Sequence, residues 1–245
     1  MARSIEKNGN ATPNPLLAVK QLHVAYDQSE VLRGISFDIF QGEVVTLLGR
    51  NGAGKTTALK GILGIARHRQ GSVQFESIEL IRMTTEKIAR CGIAYCPEER
   101  GIFSSLSVEE NLLLPPIIRP NGMSVADIYK MFPNLLERRN SIGTKLSGGE
   151  QQMLAIGRIL RTGAPLLLLD EPTEGLAPAI VKKIGVVLKE LKARGLTILL
   201  VEQNLHFAAD IADRHYILEN GHVVSQIRAE DLSTEKATLN KYLGL

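Results

Sequence analysis

The stretch from Val44 to Leu63 constrains this chain more than any other. A short buried-type run, Val44-Val45-Thr46-Leu47-Leu48, leads into Gly49-Arg50-Asn51-Gly52-Ala53-Gly54-Lys55-Thr56, and a helical run, Thr57 to Leu63, follows. The octapeptide fits the phosphate-binding pattern G-x-x-x-x-G-K-[ST] in full, in the strand-to-helix context that the pattern needs. Glycines are required because backbone N–H groups must close around phosphate oxygens without side-chain obstruction, while the helix N-terminus adds positive potential. Lys55 is then placed to reach the β- and γ-phosphates, and the Thr56 hydroxyl to ligate Mg²⁺. The alternative is a glycine-rich strand-to-helix turn with an incidental lysine, which the full pattern in this strand and helix context disfavours.

Two further apolar runs, Leu166 to Leu169 and Thr197 to Val201, match the strand before the loop. Continuous apolar strands separated by helical stretches predict a parallel sheet covered on both faces. The helix expected over Pro178 to Arg194 repeats Ile180, Ile184, Val187, Leu188 and Leu191 on one face, and Gly195 stands where a left-handed cap is wanted. Residues 16 to 42 alternate apolar and polar (Leu22, Val24, Val31, Ile35, Phe37, Ile39), and His215 to Ile227 reads as a hairpin around Asn220-Gly221. Antiparallel pieces are therefore expected at the edges of the parallel core. From about 84 to 158 strand signals fade; the capping box Ser107-Val108-Glu109-Glu110 opens a helix that stops at Pro115-Pro116, so this region is expected to be an inserted helical subdomain.

Composition narrows the function classes. A charged fraction of 22% with 44% apolar residues excludes a disordered or fibrous chain, and no apolar run approaches the roughly 18 residues of a membrane span. The net charge of +3 is spread over pairs such as Arg67/Arg69 and Lys182/Lys183, which is only a weak electrostatic argument for nucleic acid. Cys91 and Cys96 are too few for a disulfide framework or a zinc site, so a reducing compartment is expected. Residues 1–15 are polar and carry no signal-peptide core, and are expected to be a disordered lead-in to a domain spanning 16–245.

The run Leu166 to Leu169 ends in Asp170-Glu171. Parallel strands carry their functional ends on one edge, so this strand can deliver two carboxylates to the phosphates held by the loop. Asp170 is expected to hold Mg²⁺ and Glu171 to polarise the water that attacks the γ-phosphate. Leu146-Ser147-Gly148-Gly149-Glu150-Gln151-Gln152 opens another helix, with Met153, Ile156 and Leu160 on its apolar face. Ser147 and Glu150 form a capping box, which by itself explains a good helix start. The two glycines also bare the helix N-terminus, leaving donors for a second anion.

The phosphate loop at Gly49 to Thr56, the glycine-bearing helix start at Leu146 to Gln152 and the strand carboxylates at Leu166 to Glu171, in this order, resemble the ATP-binding subunits of ABC transporters. The resemblance implies an α/β phosphate-loop fold with a mainly parallel core sheet, an antiparallel β edge and a helical insertion. It implies that Mg-ATP contacts Gly49, Arg50, Asn51, Gly52, Ala53, Gly54, Lys55, Thr56 and Thr57. It also implies a head-to-tail dimer in which Ser147, Gly148, Gly149 and Glu150 of one subunit complete the nucleotide site of the other. By the same resemblance Tyr26 stacks on adenine, although a core tyrosine on an edge strand explains it nearly as well. Glu98 occupies the place of a glutamine that touches Mg²⁺ and the attacking water, and Gln203 replaces the histidine that contacts the γ-phosphate. Glutamine donates the same hydrogen bond but carries no charge. Ala177 stands where an inter-subunit aspartate is usual, which bears on communication between sites.

Cys96 to Phe103, Ser107 to Leu112, Gly175 to Pro178 and Val201 to Asn204 are similar to the smaller, LivF-type ATPase of branched-chain amino-acid importers, with urea-importer ATPases as the nearest competitor. The implied partners are a non-identical ATPase subunit, two membrane permease subunits and, indirectly, a periplasmic binding protein; the implied location is the inner face of the cell membrane. A soluble ABC ATPase acting on DNA or ribosomes would carry a long coiled-coil insertion or tandem nucleotide domains. A small-molecule kinase would leave the second helix start unexplained.

Overall fold

The computed structural model describes residues 14–235, 239 and 242–243. The expectation of a disordered lead-in over 1–15 therefore falls outside the described residues, apart from Asn14 and Pro15. In chain order the elements are β1 (Leu17–Tyr26), β2 (Ser29–Ile39), β3 (Val44–Leu48), α1 (Lys55–Ile62), β4 (His68–Phe75), β5 (Ile78–Glu79), α2 (Thr85–Gly92), β6 (Ile93–Cys96) and α3 (Val108–Leu113). They continue as α4 (Val125–Met131), α5 (Pro133–Glu137), α6 (Gly148–Arg161), β7 (Leu166–Asp170), α7 (Pro178–Ala193), β8 (Thr197–Glu202), α8 (Leu205–Ala209), β9 (Arg214–Glu219) and β10 (His222–Arg228).

The central sheet runs β10-β9-β3-β8-β7-β6, and the strands from β9 to β6 are parallel. Every residue of β3, β7 and β8 is buried, as continuous apolar runs require when both faces are covered. Alternate side chains divide between two cores. Val45, Leu47, Leu168, Leu199 and Val201 pack with α1 and the β1/β2/β4 strands, whereas Val44, Leu167, Leu169, Ile198 and Leu200 pack with α6 and α7. In α7, Ile184, Val187, Leu188 and Leu191 are buried, Ile180 is partly covered, and Gly195 adopts φ +81° just beyond the helix.

Two expectations need correction. The antiparallel strands of the N-terminal third do not edge the parallel sheet; they form a separate sheet, β2-β1-β4-β5, and only β10 is an antiparallel edge of the central one. The reason is β4: its polar run His68-Arg69-Gln70-Gly71-Ser72 gives no apolar signal, yet it pairs with β1 from Ala25–His68 to Leu17–Phe75 and completes the second sheet. Nor is the region 84–158 wholly helical, because β6 lies inside it and pairs in parallel with β7. Four residues, Ile93-Ala94-Tyr95-Cys96, are too short a run to be told from a helix segment by periodicity. The helical unit itself is formed by α3 to α6, with Leu112, Ile128, Phe132 and Leu135 packed on the Met153/Ile156/Leu160 face of α6. Capping boxes at Ser107/Glu110 and Ser147/Glu150 start α3 and α6.

Among the described residues no helix is long and apolar enough to cross a membrane.

Candidate nucleotide site

The C-terminal ends of β3, β6, β7 and β8 open on one edge of the central sheet, and the chain leaves each of them carrying an expected site residue. After β3 the loop Gly49–Gly54 turns into α1. Gly54 has φ +107°, and a Cβ there would stand 2.7 Å from the Leu32 side chain, so no other residue fits without displacing the core. Arg50, Asn51 and Gly52 are exposed while Gly49, Ala53 and Gly54 are buried, which lays the loop along the sheet edge with its middle facing outward.

Lys55, the first residue of α1, points back into the loop. Its Nζ donates to Gly49 O at 2.9 Å and Arg50 O at 3.2 Å, and pairs with Glu171 Oε1 at 3.1 Å. With side-chain exposures of 4% and 10%, the two charges attract through a poorly screened medium. Glu171 follows β7 with φ +44°, a left-handed conformation that costs a non-glycine residue roughly 1–2 kcal/mol. Its N–H donates to Val201 O at 3.0 Å, and its second carboxylate oxygen accepts from Gln203 Nε2 at 2.6 Å. Gln203 therefore holds Glu171, a contact that motif reading alone does not give.

Asp170, the last residue of β7, is fully buried. It accepts from Thr56 Oγ1 and from the Tyr95 hydroxyl, each at 2.9 Å. Burial pushes its carboxyl above the usual range, against the pull of those two donors. Tyr95 is a site residue that sequence reading missed. Its phenol is raised by burial and then by the Asp170 charge, so it remains a donor at any working pH. The available signal is parity: Tyr95 pairs with Leu168 in the β6/β7 register, two residues before Asp170 and so on the same face.

Past β6, Glu98 is exposed, and partial burial followed by the charges of Glu171, Asp170, Glu99 and Glu174 pushes it upward. An acidic cluster beside a phosphate loop favours a cation. Among the described residues no three acidic, His or Cys side chains converge into a preformed metal cage. Beyond β8, Glu202 is buried at 2% exposure, accepts from Thr173 Oγ1 at 2.7 Å, and is pushed by burial to about 7. Tyr26 ends β1 with 42% exposure; the reading of it as a core tyrosine fails, and its ring is available.

The chain does not bring Ser147, Gly148, Gly149 and Glu150 to these groups. No hydrogen bond or ion pair links them to the phosphate loop, Glu171 or Gln203 among the described residues. Ser147 and Glu150 satisfy each other, and Arg138 stands 3.6 Å from Glu150. The second glycine has a packing reason as well as an electrostatic one: a Cβ on Gly149 would stand 2.9 Å from Ile180 of α7.

Comparison with known proteins agrees with this geometry. The family model described as ABC transporter matches residues 32–174, more than half of the chain. This chain belongs to the ABC transporter family. The high-affinity branched-chain amino acid transport ATP-binding protein BraG of Pseudomonas aeruginosa is 40% identical over 232 residues, covering 94% of this chain and all of BraG. The lipopolysaccharide export system ATP-binding protein LptB of Escherichia coli is 32% identical over 234 residues, covering 93% of this chain and 97% of LptB. A nucleotide-free ATP-binding cassette from an ABC transporter superposes with a TM-score of 0.81 at 25% identity, covering 95% of this chain and 99% of that one. A dimeric cassette bound to ADP and Pi superposes at 0.78 and 25% identity, covering 87% of this chain and 98% of that one. The fold is thus the ABC ATPase cassette, and the chain is an ATP-binding, ATP-hydrolysing ABC subunit.

Proposed function

We propose that this ABC ATPase energises the uptake of branched-chain amino acids, as one ATPase subunit on the inner face of the cell membrane. The observation that carries the proposal is 40% identity extending over the whole of BraG. ATP binds with its adenine on Tyr26 and its phosphates on the backbone of Gly49 to Thr57. A phosphate offers Lys55 a stronger partner than a carboxylate, so the ammonium turns to the β- and γ-phosphates and leaves Glu171 to Gln203. Glu171 then orients and deprotonates the attacking water, held by Gln203 from one side and by its strained backbone from the other.

Thr56, Asp170 and Glu98 fit Mg²⁺: a hydroxyl and a carboxylate oxygen meet beside the phosphate loop, within a group of mutually repelling carboxylates. The ion, when bound, offsets the charge of the phosphates. Tyr95 keeps Asp170 aimed at Thr56 by occupying its second oxygen. Ser147, Gly148, Gly149 and Glu150 serve the nucleotide of a second ATPase subunit in a head-to-tail pair, since the Gly148 and Gly149 N–H groups at the start of α6 meet no acceptor among the described residues. Two permease subunits and, through them, a periplasmic binding protein complete the assembly; nucleic acid is not a partner.

The identity to LptB supports lipopolysaccharide export as a second reading. Reconstitution of the chain with its membrane subunits in proteoliposomes separates the two. Leucine, isoleucine or valine with a binding protein should raise ATP turnover several-fold; stimulation by lipopolysaccharide and indifference to the amino acids would reject the import reading.

A further inference from the structure

Glu171 and Gln203 leave two neighbouring strands, and a second link between those exits lies deeper than the first. Thr173, two residues after Glu171, and Glu202, one residue before Gln203, are both buried, at 8% and 2% exposure. The Thr173 hydroxyl donates to Glu202 Oε1 at 2.7 Å, while Gln203 Nε2 donates to Glu171 Oε2 at 2.6 Å. The two bonds close a ring: Glu171 to Thr173 along the chain, across to Glu202, along to Gln203, and back to Glu171. The other oxygen of Glu202 accepts from Asn204 N at 3.3 Å, and Asn204 caps α8 by accepting from Phe207 N at 3.1 Å. A buried carboxyl costs several kcal/mol unless its oxygens find donors, and here both donors come from the segments that carry the reacting groups.

We propose that Glu202 is a positioning residue for ATP hydrolysis, clamping Thr173 so that the left-handed backbone at Glu171 and the amide of Gln203 stay in register. The proposal rests on the reading of Glu171 as the base. Without the clamp the fold keeps its sheet pairing, since Glu171 N still meets Val201 O, but the turn over Pro172 and Thr173 is free to relax from the strained φ. A displacement of about 1 Å at the base lowers the chemical step by roughly a hundred-fold without touching the phosphate loop.

The test uses the chain assembled with its membrane subunits. Glu202→Leu and Thr173→Val should each lower kcat by roughly ten- to a hundred-fold while the KM for ATP stays within about two-fold, because only the reacting geometry has moved. Glu202→Gln and Thr173→Ser, which keep an acceptor and a donor, should recover most of the rate. The double variant Glu202→Leu with Thr173→Val should be no slower than the worse single variant, since one bond is lost in either case. Thr173→Val probes the same bond from a loop, so the proposal remains open to disproof if Glu202→Leu does not fold. Glu171→Gln is measured alongside. Rapid turnover by Glu171→Gln overturns the reading of the base and the clamp with it. An inactive Glu171→Gln beside wild-type kcat in the Thr173→Val variant overturns the clamp alone, as do losses that multiply in the double variant or an ATP KM that shifts in proportion to kcat.

Discussion

The edge of the central sheet and the start of α6 both carry the glycine-bearing helix start of an anion site, yet they are finished differently. At the sheet edge Lys55, Thr56, Asp170, Glu171 and Gln203 come from three separate stretches of chain and already contact one another at 2.6–3.1 Å. At the start of α6, among the described residues, Ser147 and Glu150 hydrogen-bond or pair only within their own turn and with Arg138, and with none of the sheet-edge groups. The first region is preorganised by the fold, while the second meets none of those groups and, on the function proposed above, takes its ligand from another molecule. On that proposal the chain binds nucleotide with one half of its chemistry and offers the other half outward.

The largest effect should follow from breaking the sheet edge at its cation. Lys55→Ala removes the only ammonium in the loop and should lower ATP turnover by at least roughly a hundred-fold and weaken ATP binding to the single chain. Equilibrium binding of a fluorescent ATP analogue together with phosphate release measures both, and near-normal turnover would reject the role of the loop lysine. Gln203→Ala should cost roughly ten- to a thousand-fold in kcat, as for other transition-state donors, with binding preserved. Gln203→His should keep part of the rate and add a pH dependence between about 6 and 7.5, where glutamine has none.

The outward half is broken separately. Ser147→Ala removes the cap of α6 at a cost of about 1 kcal/mol in stability, read as a lower midpoint of thermal unfolding. ATP binding to the isolated chain should not change, whereas turnover of the assembled pair should fall. A loss of ATP binding by the isolated chain would mean that α6 serves its own nucleotide and would abolish the contrast between the regions.

The smallest net effect concerns pH and separates the chemistry of the edge from the packing of the sheet. His215 is fully buried, with its Nδ1 and Thr46 Oγ1 2.7 Å apart, and burial lowers it from 6.5 to about 4. It binds fewer protons folded than unfolded, so the stability it carries is present above pH 6.5 and is lost as pH falls toward 4. Glu202 is raised from 4.5 to about 7 and binds more protons when folded; its contribution is complete below pH 4.5 and is lost as pH rises to 7. Each amounts to something on the order of 3 kcal/mol, and across pH 4.5–6.5 the two oppose each other. Urea unfolding of the wild type should be nearly flat in that window from this pair. Glu202→Gln should uncover the histidine as a loss of stability on acidification, and an unchanged profile would refute the opposition.

Much of this site is local in the chain and therefore legible. The phosphate loop, the Ser147/Glu150 capping box and the carboxylates ending Leu166-Leu167-Leu168-Leu169 are each specified within a few consecutive residues, because backbone geometry and capping act over one turn. The three predominantly apolar strands likewise declare a sheet covered on both faces, and the polar residues buried within them, Thr46, Asp170, Thr197 and Glu202, each have a hydrogen-bond partner. Tyr95 on Asp170, Thr173 on Glu202 and Gln203 on Glu171 were not legible, being 75, 29 and 32 residues apart. Such contacts depend on strand order and register, which set which neighbours meet across β6, β7 and β8. The membership of β4 in a second sheet has the same origin: its polar side chains carry no apolar pattern, and its place is fixed by backbone pairing with β1. The sequence by itself determined where the phosphate-loop motif lies and which residues carry the charge around it; the tertiary structure decided which of those residues restrain one another, because hydrogen-bond partners across a parallel sheet are chosen by register in space and not by distance along the chain.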